Sequence, residues 1–302
     1  MSTVELRKIL RELNRVDLER VEFSFLVQRL RAASEGTSIP LGPRPFSEFF
    51  YRARVANEEH LNLVRDLGAP PQELVQGYQR CNPPGQPMFY ASSRRITALL
   101  EVNAQPGDIV YLGQWVGATD LPINQVLSPE NFTESPRPSP TDEIFHTYLD
   151  TLFTRPIAAT FANSYKMTAA AATILSTNFV ADTAHGVHSD GTVGLRYSSI
   201  AHTHKGWNTA FHAHFARERL QLIHATRIKI LARSGEDFRI QLLDTAIETI
   251  DGAVIWLANQ TSIPIPQKDP RGTTFLSNGR SWILPCYDNP LDETELAIFL
   301  QG

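Results

Sequence analysis

Residues 80–101 constrain the fold of this chain more strongly than any other stretch. After Arg80 comes Pro83-Pro84-Gly85, a rigid turn whose glycine can adopt the positive φ that other residues resist. Residues 88–92 predict a short strand, and a helix that ends near Glu101 follows it. The pattern places an arginine, the strand residue Tyr90 and a helical carboxylate in one supersecondary unit. Such a unit suits an anionic ligand with a carbohydrate or aromatic part.

Composition and charge indicate a folded protein without a general affinity for polyanions. Hydrophobic residues make up 42% of the 302 residues and charged residues 20%, as in ordinary globular chains. The net charge of −4 gives no global attraction to nucleic acid or to anionic membranes. Any phosphate binding must therefore be local.

The cysteines and the N-terminus bear on the cellular compartment. Cys81 and Cys286 lie far apart in the sequence, which favours a reducing compartment over a disulfide scaffold. The N-terminus lacks the apolar run of a signal peptide, and no apolar stretch approaches the ~20 residues that cross a bilayer. We therefore expect a cytoplasmic protein that binds neither nucleic acid nor membranes.

The hydrophobic spacing predicts an α+β protein that begins with helices. Residues 3–33 have helical spacing and form one or two amphipathic helices, whose apolar face covers the main domain in the favoured interpretation. The alternatives are that this face contacts a partner or forms a homo-oligomer. Residues 36–45 are rich in proline and glycine and separate these helices from the rest of the chain.

The main domain contains both strands and helices. The strand predicted at residues 46–55 alternates, which would place Arg52 and Arg54 on one face. The remaining predictions are a surface loop at residues 129–140, helices at residues 57–67, 142–153, 163–175 and 293–300, and strands that include residues 107–113, 220–231 and 238–256.

The histidines offer one hypothesis about function. Six of the nine fall within 30 residues of one another, as His185/His188, His202/His204 and His212/His214. A His-x-His pair on a strand points both imidazoles to one face, as several metal sites require. This pattern favours a metal-dependent enzyme, but a carboxylate at metal-site spacing is not evident. The GxSxG, P-loop and GxGxxG motifs are missing, which weakens the esterase, NTPase and Rossmann dehydrogenase hypotheses.

A second hypothesis comes from a family resemblance that spans roughly residues 46–256. The motifs that carry it are Tyr51-Arg52, Arg80-Cys81-Asn82-Pro83-Pro84-Gly85 with Tyr90, Ala98-Leu99-Leu100-Glu101, Tyr197-Ser198-Ser199 and Gly206-Trp207-Asn208. In this order and spacing they resemble the RES-domain family, which takes its name from an arginine, a glutamate and a serine. Those residues would be Arg52, Glu101 and Ser199 here.

Two positions depart from the family pattern. The family usually has Tyr-Pro-Ser where this chain has Tyr197-Ser198-Ser199, so Ser198 competes with Ser199 for the role of the site serine. An aromatic residue more often occupies the position of Cys81. Neither departure removes the arginine or the glutamate.

The resemblance implies a fold and a domain organisation. The fold would be α+β, with a mixed, partly split β-sheet similar to that of the ADP-ribosyltransferases. Residues 1–45 would form an N-terminal helical extension and linker, residues 46–258 an NAD-binding catalytic domain, and residues 259–302 a C-terminal extension packed on that domain.

The resemblance also implies an activity. Members of the family act on NAD as a substrate, commonly as toxins that an antitoxin holds in check, and no metal is expected. The reaction would break the bond between nicotinamide and ribose, by NAD hydrolysis, phosphorolysis or ADP-ribosyl transfer. A non-catalytic interaction module that binds a partner through residues 1–35 is the remaining alternative.

The implied roles of the site residues agree with the chemistry. Cleavage passes through an oxocarbenium-like state that a carboxylate stabilises, and Glu101 is the candidate. Planar guanidinium groups suit the pyrophosphate, which assigns that role to Arg52 and Arg80. The other implied NAD contacts are stacking by Tyr90 and Tyr51, hydrogen bonds from Ser199 and Asn208, and binding by Asn82 and Tyr197. No adjacent base supports Cys81 as a nucleophile.

Overall fold

The computed structural model describes most of the chain up to residue 257. The described residues are 1–38, 49–56, 61–117, 123–127, 138–157, 162–177, 193–202, 206–257, 276–277 and 282–283. Several predictions fall outside them: most of the loop at residues 129–140, the helix at residues 293–300, and Cys286.

Helices and strands are both abundant in these residues, which confirms the α+β class. The helices are α1 (Thr3–Leu13), α2 (Phe23–Ser34), α3 (Arg95–Glu101), α4 (Pro140–Thr154), α5 (Lys166–Thr177) and α6 (Ala213–Arg219). The strands are β1 (Phe49–Val55), β2 (Met88–Ser92), β3 (Ile109–Gly117), β4 (Ile123–Gln125), β5 (Gly194–Ser198), β6 (Trp207–His212), β7 (Leu220–Ser234), β8 (Asp237–Ile250), β9 (Ala253–Trp256), β10 (Leu276–Ser277) and β11 (Trp282–Ile283).

Nine of the strands form one mixed sheet, in the order β4-β5-β6-β2-β1-β3-β7-β8-β9. It is mixed because β4 and β5 run parallel, whereas β1 and β3, for example, run antiparallel. A mixed sheet is what the sequence predicts, while its likeness to the ADP-ribosyltransferase sheet stays a prediction.

The chain divides into two compact units that alternate along the sequence. The first contains Met1–Pro45, Ala69–Tyr90 and Thr119–Ala216, and the second contains Phe46–Gly68, Ala91–Ala118 and Arg217–Gly302. The predicted boundaries at residues 45 and 258 stay predictions.

The core of the first unit is formed by helices α1, α2, α4 and α5 against one face of β5 and β6. The N-terminal helices belong to this core, because Leu6, Leu10, Leu26 and Leu30 pack in the same buried cluster as Phe145. The favoured interpretation of residues 3–33, that their apolar face covers the domain, agrees with this packing.

The N-terminal helices have defined ends. A capping box begins α1, because the Ser2 side chain accepts from the Glu5 N–H and the Glu5 carboxylate accepts from the Ser2 N–H. Beyond α2, the Ser38 N–H donates to Asp142 Oδ1 at 2.7 Å, and the Ser38 carbonyl accepts from His146 Nε2 at 2.8 Å. The chain that leaves α2 is thus attached to α4 at one residue.

The core of the second unit lies between α3 and one face of its strands. Ala98 and Leu99 of α3 pack in a cluster with residues of β1, β3 and β7, among them Tyr51, Leu112 and Ile228. The strands predicted at residues 220–231 and 238–256 are confirmed as β7, β8 and β9. The turns between them contain Gly235 and Gly252, both with positive φ.

One helix prediction in the second unit is wrong. In the described part of residues 57–67, only a short 3₁₀ helix, Val64–Leu67, is present. Leu63 instead forms an isolated bridge with Ala253 of β9. A pairing partner 190 positions away in the sequence therefore overrides the local helical spacing.

Candidate functional site

The turn at residues 80–85 in the first unit is held by the hydroxyl of Tyr90. This hydroxyl accepts the Cys81 N–H at 2.9 Å and donates to Asn82 Oδ1. Asn82 is only 1% exposed, and its Nδ2 donates to the Pro83 carbonyl at 3.3 Å. Gly85 has φ +73°, the conformation predicted for the glycine of this turn. The strand residue Tyr90 therefore positions the whole turn.

Cys81 lies under this turn as a neutral thiol. It is 4% exposed, and burial raises its pKa to about 12, although the charge of Arg80 and hydrogen bonds with Tyr197 and Tyr90 act in the opposite direction. A thiol with this pKa is not a nucleophile at neutral pH. The burial of Cys81 thus gives no more support to a nucleophilic role than its sequence neighbours do.

Tyr197 and Asn208 lie opposite each other on β5 and β6 and so share one face of the sheet. Both are buried, and the Tyr197 ring lies 5.3 Å from the ring of Phe153 in α4. Together with the Tyr90 turn, the structure brings Asn82, Tyr90 and Tyr197 around Cys81.

Ser199 begins the turn that follows β5. Its Oγ accepts the His202 N–H at 3.0 Å, and its own N–H donates to the Gly206 carbonyl at 2.9 Å. Ser198 lies opposite Trp207 and, as the residue next to Tyr197 on β5, points to the other face of the strand. Of the two serines, Ser199 is buried and Ser198 is only partly buried.

Arg80 is directed at the C-terminal end of α4. Its Nη1 donates to the carbonyls of Phe153 at 2.7 Å and Arg155 at 3.5 Å, and its guanidinium carbon lies 5.3 Å from the centre of the Tyr165 ring. A positive charge at this end of a helix is favourable, because the last carbonyls carry partial negative charge. Arg80 therefore stabilises α4, whatever else it binds.

The second unit contains Tyr51 and Arg52, which point to opposite faces of β1. Tyr51 is 0% exposed and faces α3, whereas Arg52 points away from α3 and its Nε donates to the Gly68 carbonyl at 3.0 Å. Arg54 lies on the same face as Arg52, as predicted, and donates to the Asp66 carbonyl. Both arginines therefore hold the chain at and just after the 3₁₀ helix Val64–Leu67.

Glu101 is the last residue of α3 and is exposed. The helix is held on the sheet by its buried residues, Thr97, Ala98, Leu99 and Leu100. The chain turns directly after it, where Asn103 has φ +49°. The predicted strand, turn and helix around Glu101 are all present.

Three residues on or near the Tyr51 side of the sheet were not identified as candidate site residues from the sequence: Arg95, Gln114 and His224. Gln114 is a single polar residue within a buried strand, and His224 lies in the alternating pattern of β7. A polar side chain on a core-facing strand position is the signal that could have identified both.

The histidines do not form the predicted strand pairs in the described residues. His212 ends β6 whereas His214 lies in α6, and His185, His188 and His204 lie outside the described residues. Burial, and then the charge of His214, lower the pKa of His212. Within the described ranges, no three His, Cys, Asp or Glu side chains are placed to hold a metal ion.

Three further findings bear on what kind of protein this chain is. Among the described helices, none is long and apolar enough to cross a membrane. The family model described as RES domain matches residues 50–230, which is more than half of the 302 residues. No curated protein matches the chain significantly.

Proposed function

Because the chain belongs to the RES-domain family, which is associated with NAD-related toxins, we propose that it is an enzyme that cleaves NAD between nicotinamide and ribose. One observation carries this proposal: the family match over residues 50–230 includes all nine candidate site residues, from Tyr51 to Asn208. The acceptor of the ADP-ribosyl group is water, phosphate or a macromolecule. The biological role is that of the toxin in a toxin–antitoxin pair.

The bond that breaks joins C1′ of the ribose to the ring nitrogen of nicotinamide. Its electron pair stays on the nitrogen, so the pyridinium becomes neutral nicotinamide and positive charge develops on the ribose. The carboxylate of Glu101 stabilises that charge and takes the proton that the acceptor loses when its oxygen bonds to C1′.

The arginines supply charge for the pyrophosphate. Arg80 is the stronger candidate for a rigid contact, because its bonds to the α4 carbonyls fix the plane of its guanidinium group. Arg52 has the same chemistry on the face of β1 that points away from α3. A ligand on one face of β1 meets either Tyr51 or Arg52, since they point in opposite directions.

The aromatic and polar residues supply orientation. Tyr90 is only partly buried, so we assign stacking on nicotinamide to its ring in preference to that of Tyr51, which is fully buried beneath Arg95. Ser199 and Asn208 are assigned to hydrogen bonds with the carboxamide or the ribose. Asn82 and Tyr197 support the turn and the strand from which these contacts are made.

The test is direct. Purified protein is incubated with NAD, and free nicotinamide is measured over time for the wild type, Glu101→Gln and Glu73→Gln. Glu73 is an exposed glutamate in another 3₁₀ helix, Gln72–Leu74, and serves as the matched control. We expect Glu101→Gln to lower kcat by about 100-fold or more, as loss of a group that stabilises transition-state charge does, and Glu73→Gln to leave it unchanged.

Two outcomes would contradict the proposal. Absence of nicotinamide release by the wild type would refute NAD cleavage, and full activity of Glu101→Gln would refute the role of the carboxylate. Expression in cells separates the toxin role from the chemistry: the wild type should lower cellular NAD and stop growth, and Glu101→Gln should relieve both.

A further inference from the structure

A row of buried polar side chains crosses the second unit beneath helix α3. Tyr51, Gln114 and His224 lie directly opposite one another on β1, β3 and β7, so their side chains share one face of the sheet. They are 0%, 1% and 7% exposed, respectively. It is the face on which Ala98 and Leu99 of α3 pack. The row therefore lies on the side of the sheet that α3 covers.

Arg95, the first residue of α3, contacts this row. Its guanidinium carbon lies 4.8 Å from the centre of the Tyr51 ring, and its Nη2 donates to Gln114 Oε1 at 2.8 Å. Its charge also acts on His224, whose pKa is lowered mainly by burial and then by Arg95. One side chain thus joins the start of α3 to strands β1 and β3.

The burial and hydrogen bonding of the Gln114 side chain indicate that it is there to bind Arg95. Its Nε2 has no hydrogen-bond partner among the described residues, although the side chain is almost completely buried. An unsatisfied buried donor is unfavourable, and a purely apolar residue would avoid that cost. What Gln114 contributes in return is the oxygen that accepts the charge-assisted bond from Arg95.

The geometry points to Arg95 as a positioning residue for Glu101, an inference that rests on the proposed function. The two residues are the first and last of the same seven-residue helix, six positions or about 9 Å apart along its axis. A tilt of about 6° at the start of the helix would therefore move its far end by about 1 Å. A displacement of that size at a reacting group can lower a rate by about 100-fold. Arg95 bonds the start of α3 to the sheet and so acts together with the buried residues of the helix to set where Glu101 lies.

The experiment compares two neighbouring arginines. Arg94 immediately precedes α3 and is exposed, so Arg94→Met is the matched control for Arg95→Met. We expect Arg95→Met to lower kcat for nicotinamide release by about 10-fold to 100-fold, with KM changed by less than about 2-fold. Arg94→Met should change neither constant. Arg95→Lys keeps the charge but loses the planar donor, and should recover part of kcat.

Hydrogen exchange of the amides at residues 98–103, in and directly after α3, provides a readout that does not need activity. Exchange should be faster in Arg95→Met than in the wild type and unchanged in Arg94→Met. Unchanged exchange in Arg95→Met would overturn the inference, and so would faster exchange with undiminished kcat. Should the wild type release no nicotinamide, the proposed function fails, and the exchange result alone decides whether Arg95 anchors α3. Should Arg95→Met not fold, Gln114→Met removes the same bond and is measured in its place.

Discussion

Acidification should destabilise this protein through His224, and the size of the effect follows from its environment. Burial, and next the positive charge of Arg95, lower the pKa of His224 from 6.5 to about 3 in the folded chain. In the unfolded chain His224 keeps its ordinary pKa, so between about pH 6.5 and pH 3 the unfolded chain binds a proton on His224 that the folded chain does not bind. Stability is therefore unaffected above about pH 6.5, falls as the pH drops below that value, and stops falling near pH 3.

The magnitude at a convenient pH can be worked out from these values. At pH 5.0, about 1.5 units below the ordinary pKa of 6.5, His224 is protonated in the unfolded chain but not in the folded one. This lowers the free energy of unfolding by about 2 kcal/mol, at about 1.36 kcal/mol per pH unit. The assay is urea unfolding, followed by tryptophan fluorescence, at pH 7.5 and pH 5.0 for the wild type, His224→Gln and His214→Gln. His214 is an exposed histidine and serves as the control. The free energy of unfolding should decrease by about 2 kcal/mol less in His224→Gln than in the wild type over this interval. Equal decreases in the wild type and His224→Gln would refute the reasoning.

Two further predictions concern the turn at residues 80–85. Tyr90→Phe removes the hydroxyl that accepts the Cys81 N–H and donates to Asn82 Oδ1, so it should lower the free energy of unfolding by about 2–3 kcal/mol in urea unfolding. A change below about 0.5 kcal/mol would contradict the role of this hydroxyl in holding the turn. Cys81, with its pKa raised to about 12, should resist iodoacetamide at pH 8 in the native protein and react only after unfolding, as judged by mass spectrometry of the peptide that contains it; rapid native labelling would show that the thiol is accessible and ionised.

Local sequence predicted the elements that depend on local chemistry. The turn at residues 83–85, strand β2 and helix α3 follow from proline, glycine and hydrophobic spacing within about 20 residues, and all are present. The α4 prediction is confirmed for the same reason, and its start carries the Ser139–Asp142 capping box.

The features that the sequence did not predict depend on distant pairing. Tyr51, Gln114 and His224 become neighbours only because β1, β3 and β7 lie side by side, and their separation along the chain conceals this. The short helix Val64–Leu67 is limited in the same way by the bridge between Leu63 and Ala253. That Tyr51 and Arg52 face opposite sides follows from strand alternation alone, but only the structure shows which side α3 covers.

The bond from Arg52 to Gly68 has a consequence for any anion that Arg52 binds. If the ligand takes over the Nε donor, the carbonyl of Gly68 must find another partner, and ligand affinity becomes linked to the conformation of residues 64–68. The linkage is reciprocal. A change that shifts residues 64–68 away from the bonded conformation strengthens anion binding, and the anion shifts the same conformational equilibrium by the same factor. A segment with no contact to the ligand would then act as an adjustable competitor for the arginine.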